Sequence, residues 1–186
     1  MKTAGERLLL PINWLLLCTL GISGCVPDSG NNDWLGTLLL DVAPVDKSLY
    51  LEECGSCHFA YQAGLLNAAS WGLVMDGLAD HFGDNAELDE VSFALLRRYL
   101  LDNAADRSEY TRSQGIAASQ AGKGAMLRVS ETPYFLRKHN ELPLDRVTGN
   151  SEVGSFSRCE QCHKAPETGS FNGHDVRIPG FAKEGD

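Results

Sequence analysis

Cysteine and histidine are placed in this chain at a spacing that leaves few folds open. Cys54-Gly55-Ser56-Cys57-His58 and Cys159-Glu160-Gln161-Cys162-His163 are two copies of one pattern, Cys-x-x-Cys-His. The pattern is the attachment signature of c-type haem. Two thiols add across the vinyl groups of one porphyrin edge from a single turn of chain, and the histidine that follows lands under the iron as proximal ligand. Two covalent haems are therefore expected, held by Cys54, Cys57 and His58 and by Cys159, Cys162 and His163.

Two other uses of paired cysteines fit less well. A single four-cysteine zinc site would join pairs separated by roughly 100 residues, far beyond compact zinc-ribbon spacings. Zinc also gives no reason for a histidine after each second cysteine. A dithiol oxidoreductase would place its pair in a βαβ pattern, and neither pair lies in one.

The N-terminus concerns the compartment. Lys2 and Arg7 precede a mostly apolar stretch from Leu8 to Ile22, interrupted by Pro11 and Asn13. A spanning helix needs ~20 apolar residues, so residues 1–24 read as a secretory signal peptide. Its end, Ile22-Ser23-Gly24-Cys25, resembles the lipobox of bacterial lipoproteins, in which the cysteine sulfur carries diacylglycerol. Acyl chains contribute ~0.8 kcal/mol per buried CH₂, enough for several of them to hold a domain on a bilayer. On this reading Cys18 leaves with the signal, Cys25 is acylated, and the other four cysteines serve the two motifs. The expected location is the periplasm, anchored to a membrane through Cys25, with Val26 rather than Asp favouring the outer membrane. A cleaved signal with a coincidental cysteine and an uncleaved anchor are the alternatives.

The rest of the chain reads as mainly α. Residues 25–45 form a tether, 46–104 a first haem domain, 105–124 a linker and 125–186 a second haem-binding domain. Asp46 to Cys54 is expected to be a short helix delivering the first motif. Trp71 to Phe82 has Trp71, Val74, Met75, Leu78 and Phe82 at helical spacing. Asp89 is placed to cap a helix running to about Asn103, with Val91, Leu95, Tyr99 and nearby leucines on its buried side. Residues 105–124 are polar and rich in Gly, Ser, Ala and Gln. Thr132-Pro133 opens a helix to about Asn140, and loop-like sequence follows. So little apolar periodicity in the C-terminal half makes the second haem a large part of its core.

Several blocks in order resemble one family: Glu53-Cys54-Gly55-Ser56-Cys57-His58, Trp71 through Asp80-His81-Phe82-Gly83, Glu131-Thr132-Pro133-Tyr134-Phe135 with His139, and Cys159 to His163 followed by Asp175-Val176-Arg177-Ile178-Pro179. They are similar to the bacterial periplasmic dihaem cytochromes c, with a class I cytochrome c-like helical N-terminal domain and an unusual, loop-rich C-terminal haem domain. The resemblance implies electron transfer through two low-potential, bis-histidine haems. It also implies a membrane b-type cytochrome as donor and a small monohaem cytochrome as acceptor.

The distal ligands expected beside His58 and His163 are His81 and His139. His81 lies seven residues after Val74 and so ~20° from it around a helix. His139 shares a face with Phe135, and the family resemblance moves it to ligand. Met75 on the same helix as His81 reads as core, and His174 as a solvated loop histidine. Which histidine serves which haem stays open, a crossed arrangement included. Arg158 and Arg177 are candidate propionate partners, exposed arginine being the commoner explanation for both.

With 16 Lys and Arg against 25 Asp and Glu the net charge is −9, and without a basic cluster nucleic acid is excluded as a partner. The expected role is an electron carrier rather than an enzyme. The alternatives are a dihaem peroxidase, a nitrogen-oxide reductase, or a haem-based gas or redox sensor, each needing one open haem site.

Overall fold

Among the described residues, five helices and the short 3₁₀ turns between them carry the two motifs. The computed structural model describes residues 41–181, so the signal peptide, Cys25 and most of the tether lie outside the described residues. No strand occurs among the described residues, only two isolated bridges, His81 with Asp84 and His163 with Val176.

Helix α1, Ser48–Cys54, buries Tyr50, whose hydroxyl donates to the Tyr61 carbonyl at 2.7 Å. That bond fixes where the chain returns after the first motif. Helix α2, Ala68–Asp76, buries Ala68, Trp71, Gly72 and Met75, and Trp71 Nε1 donates to the Ala63 carbonyl at 2.7 Å. Helix α3, Glu90–Asp102, starts where expected, because Asp89 Oδ1 accepts from the amides of Val91 and Ser92. Against α2 and α1 it turns Ser92, Leu96 and Leu100. Together with Leu66 and Leu78 these residues make the main core.

Three readings need correction. Val91 and Leu95 are 68 % and 46 % exposed, whereas Leu96 and Leu100 are nearly inaccessible. The adjacent row of the helix is the buried one, and each leucine so buried contributes ~2 kcal/mol or more. The helix expected from Trp71 to Phe82 ends at Asp76, where Gly77 takes the C-cap and donates back to the Leu73 carbonyl. Leu78–Asp80 then makes one 3₁₀ turn, and His81 sits on a tight reversal. The polar segment 105–124 is not a bare linker: it carries α4, Thr111–Gln120, which buries Ser113, Ile116 and Gln120. Ile116 joins Val42, Leu65 and Ala105 in a second apolar cluster.

Helix α5, Pro133–His139, begins as expected. Thr132 Oγ1 accepts from the Phe135 amide at 3.2 Å, with Pro133 at the first helical position. Beyond it the chain is turns, closed on itself by Asn150 Nδ2 donating to the Pro179 carbonyl and by the Arg177 amide donating to the Cys162 carbonyl.

The start of the described chain is pinned to this region rather than loose. The amides of Asp41 and Val42 both donate to the Gly169 carbonyl at 3.1 Å, and Val42 is fully buried. All described residues thus fall in one compact unit, without a break at 105–124. Gly169 has φ +84°, and a Cβ there would collide with the Val42 carbonyl oxygen. Gly169→Ala is expected to destabilise the fold by about 2–3 kcal/mol, through both the backbone conformation and the collision. Chemical denaturation measures this, and a loss under 0.5 kcal/mol would contradict the packing described.

Candidate haem sites

Each motif histidine faces one other histidine. The ring centres of His58 and His81 are 6.2 Å apart with planes at 16°. Those of His139 and His163 are 6.3 Å apart with planes at 72°. Two imidazoles bonded through nitrogen to one metal at about 2 Å, with ring centres about 1.1 Å further out, stand about 6 Å apart. Both pairs therefore fit an iron between them, and the pairing is within each half of the chain rather than crossed.

The local chain orients three of these rings. His58 Nδ1 donates to the Phe59 carbonyl at 2.8 Å and His139 Nδ1 to the Phe135 carbonyl at 2.9 Å. Both bonds fix the tautomer and leave Nε2 as the lone-pair nitrogen. The His139 ring also stacks on Phe135 at 3.8 Å between centres, so the helix capped by Thr132 sets the ligand. His81 is held by its backbone: its amide donates to the Asp84 carbonyl at 2.7 Å, and Asp80 Oδ1 accepts from the Gly83 amide at 3.0 Å. The reversal puts Phe82 at φ +58°, a conformation that costs a non-glycine residue about 1 kcal/mol or more. The Arg128 guanidinium lies 3.9 Å from the Phe82 ring centre and braces it there. His163 is flanked by the Phe171 ring, with centres 5.2 Å apart.

Met75, 2 % exposed, is a core residue of α2, and His81 rather than Met75 faces His58. His174 sits in an exposed turn, Gly173–Asp175. Arg177 is exposed and donates to the Val176 carbonyl, while Arg158 is occupied by Glu160 and the Val153 carbonyl.

The surroundings of His81, His139 and His163 favour the neutral imidazole, the form that binds metal. Burial, then His139 and Arg112, push His163 down to about 4, with Asp41 opposing. Burial also lowers His139, its bond to the Phe135 carbonyl raises it, and Arg112 lowers it further. His81 is lowered by burial, His58 and Arg128, against Asp84. Burial pushes Cys54 up to about 11 and Cys159 up to about 12, the reverse of the lowered thiol of a redox-active dithiol. No group of three or more His, Cys, Asp or Glu able to hold a metal ion occurs among the described residues, so the two cysteine pairs do not assemble a zinc site.

The two sites differ in enclosure. Cys57 and His58 are exposed. Cys159, Cys162, His163 and His139 instead line a cavity of about 370 Å³ whose walls include Leu65, Ile116, Val129, Tyr134, Phe156 and Arg112. Sequence reasoning missed Arg112, Leu65 and Ile116 as parts of this wall. Tyr61 lies between the sites: its ring is 5.6 Å from that of His58, and its hydroxyl donates to the Ser157 carbonyl two residues before Cys159.

A family profile described as dihaem cytochrome c matches residues 50–171. The chain belongs to the dihaem cytochrome c family. Solved structures agree. The dihaem cytochrome c of Shewanella baltica OS155 is 40% identical, with 72% of this chain and 94% of that one covered and a TM-score of 0.60. The dihaem cytochrome c of Rhodobacter sphaeroides is 38% identical over 70% of this chain and 100% of its own, with a TM-score of 0.61. No curated protein matches the chain. As a dihaem cytochrome c it carries two covalently bound c-type haems, and the mainly helical fold expected from the sequence is the one observed.

Proposed function

We propose that this dihaem cytochrome is an electron carrier with two low-potential, bis-histidine haems, His58 and His81 on the first iron and His163 and His139 on the second. The observation that carries the reading is the facing of each motif histidine by a second imidazole at 6.2 and 6.3 Å between ring centres. When bound, each haem iron cycles between ferric and ferrous, one electron at a time. The protein's own residues keep that exchange free of substrate chemistry. His81 and His139 occupy the positions where a peroxide or nitrogen oxide would coordinate, and neither ring carries a thioether that would raise the potential. Tyr61, between His58 and the approach to Cys159, holds the two sites against each other.

Charge divides the surface between partners. Residues 41–104 contain eleven acidic and three basic residues, residues 105–181 nine acidic and ten basic. The exposed first haem accordingly suits a partner that is basic around its docking face, and the second a weakly charged one. A membrane b-type cytochrome as donor and a small monohaem cytochrome as acceptor fit an anchored carrier. Its place is the periplasm, tied by acylated Cys25 to the outer membrane.

Electron paramagnetic resonance of the oxidised holoprotein tests the ligation. Near-parallel imidazoles split the iron d orbitals they share, whereas near-perpendicular ones leave them almost degenerate. Planes at 16° and 72° should therefore give one rhombic and one strongly anisotropic low-spin signal. Carbon monoxide should leave the reduced spectrum unchanged. A high-spin signal, or a carbon monoxide shift on one haem, would overturn bis-histidine ligation and favour the enzyme or sensor alternatives.

A further inference from the structure

One cation in the wall of the second cavity has a donor that the protein leaves unused. Arg112, on α4, has its side chain 19 % exposed and its Nη2 2.9 Å from Asp41 Oδ2. Nη2 also donates to the Phe171 carbonyl, and Nη1 to the Tyr134 hydroxyl, both at 3.2 Å. Nε–H is buried and has no partner among the described residues. A guanidinium can only donate, and a buried donor without an acceptor is costly. Arg112 is thus a largely buried cation, lining the cavity that holds the motif thiols, with its buried Nε–H still owed an acceptor.

The haem brings two acceptors into that cavity that the apolar wall does not supply, its propionate carboxylates. Arg158 and Lys138 also line the cavity. Both are exposed, and Arg158 is committed to Glu160 and the Val153 carbonyl. Asp41, in contrast, is fixed in place. Its Oδ2 accepts from the Phe171 amide at 2.8 Å, and its backbone is tied to Gly169. Phe171 in turn packs on the His163 ring.

We infer that Arg112 Nε–H binds a propionate of the second haem, and that the Arg112–Asp41 pair sets that haem's reduction potential while leaving the first unchanged. The inference rests only on the second haem filling this cavity, not on its distal ligand. Ferric haem carries one more positive charge than ferrous. A buried cation therefore favours reduction and a buried carboxylate opposes it, each acting strongly where water is excluded.

The test is spectroelectrochemical titration of the two-haem protein and of three variants, with the haems told apart by their magnetic resonance signals. Arg112→Gln removes the cation and leaves Asp41 uncompensated. The reduction equilibrium of the second haem should fall about tenfold, 59 mV for a one-electron couple. Asp41→Asn should shift the same haem in the opposite direction by a similar factor, and Arg112→Lys, which keeps the charge, should shift it less than threefold. A purely structural pair would give shifts of one sign from both Arg112→Gln and Asp41→Asn, since either loosens the same contact. Shifts of one sign, or no shift of the second haem, would overturn the inference. Should Arg112→Gln assemble with only one haem, Asp41→Asn, which keeps every guanidinium donor, decides alone: an upward shift supports the inference and its absence overturns it. If magnetic resonance reports an open second haem, bis-histidine ligation fails while this comparison of signs still stands.

Discussion

His139→Ala should open one haem to carbon monoxide and leave the other closed. His139 faces His163 at 6.3 Å between ring centres, at the end of a seven-residue helix capped by Thr132. Its ring is aimed by Phe135, through both the stacked contact and the carbonyl that accepts from Nδ1. Met75 and Met126, the methionines of residues 41–181, are not in the cavity wall, so no thioether replaces the lost imidazole. The expected results are a carbon monoxide difference spectrum of one haem per chain, a high-spin ferric signal in place of the strongly anisotropic one, and a midpoint shift on the order of 100 mV for that haem. Axial ligation sets haem potentials over about 0.8 V, so a shift of this size is modest. A variant that still refuses carbon monoxide would remove His139 from the coordination sphere.

Replacing Cys159 and Cys162 together with serine should do more than lose a chromophore. Residues 125–181 bury few side chains completely; Val147, Val153, Thr132 and Pro166 are the principal ones. The rest of that region is wall around the second site. A cavity of about 370 Å³ left without its haem deprives these walls of the partner they pack against. The double variant is expected to bind one haem, to lose the ellipticity of α4 and α5, and to be cleaved by protease between about residues 105 and 181. The core of α1, α2 and α3 should persist around the first haem. Haem stoichiometry and limited proteolysis measure this, and a protease-resistant chain through residue 181 would show that the C-terminal half has a core of its own.

Much of the site was legible because covalent chemistry fixes spacing. The two motifs, the capped starts of α3 and α5 and the histidine on α5 all depend on neighbours within a few residues. What escaped reading depends on distant ones. Helix α4 buries Ser113, Ile116 and Gln120, a face with one large apolar residue, so no hydrophobic period marks it. On α3 the row Val91, Leu95, Tyr99 and the row Ser92, Leu96, Leu100 are both apolar enough to be buried, and only packing against α1 and α2 decides between them. His81 was placed on a helix because its spacing from Val74 is helical. Gly77 and Gly83 on either side of it allow the reversal instead. Arg112 could not be singled out among the basic residues, since its partners Asp41 and Phe171 are far from it in sequence.

The pairing of Asp41 and Val42 with Gly169 also fixes an order of assembly. The helices and histidines of the first site, α1 to α3 with His58 and His81, lie between residues 48 and 102 and can close before later residues are in place, the Arg128 brace on Phe82 being added afterwards. The second site cannot do the same. Its wall takes Leu65 and Arg112 from the early chain, and the strut that holds Arg112 closes only when residues 169–171 arrive beside residue 41. Contacts across so long a stretch form slowly. The half of the chain that holds the first motif is thus closed mostly by contacts near in sequence, and the half that holds the second stays open until residues 169–171 meet residue 41.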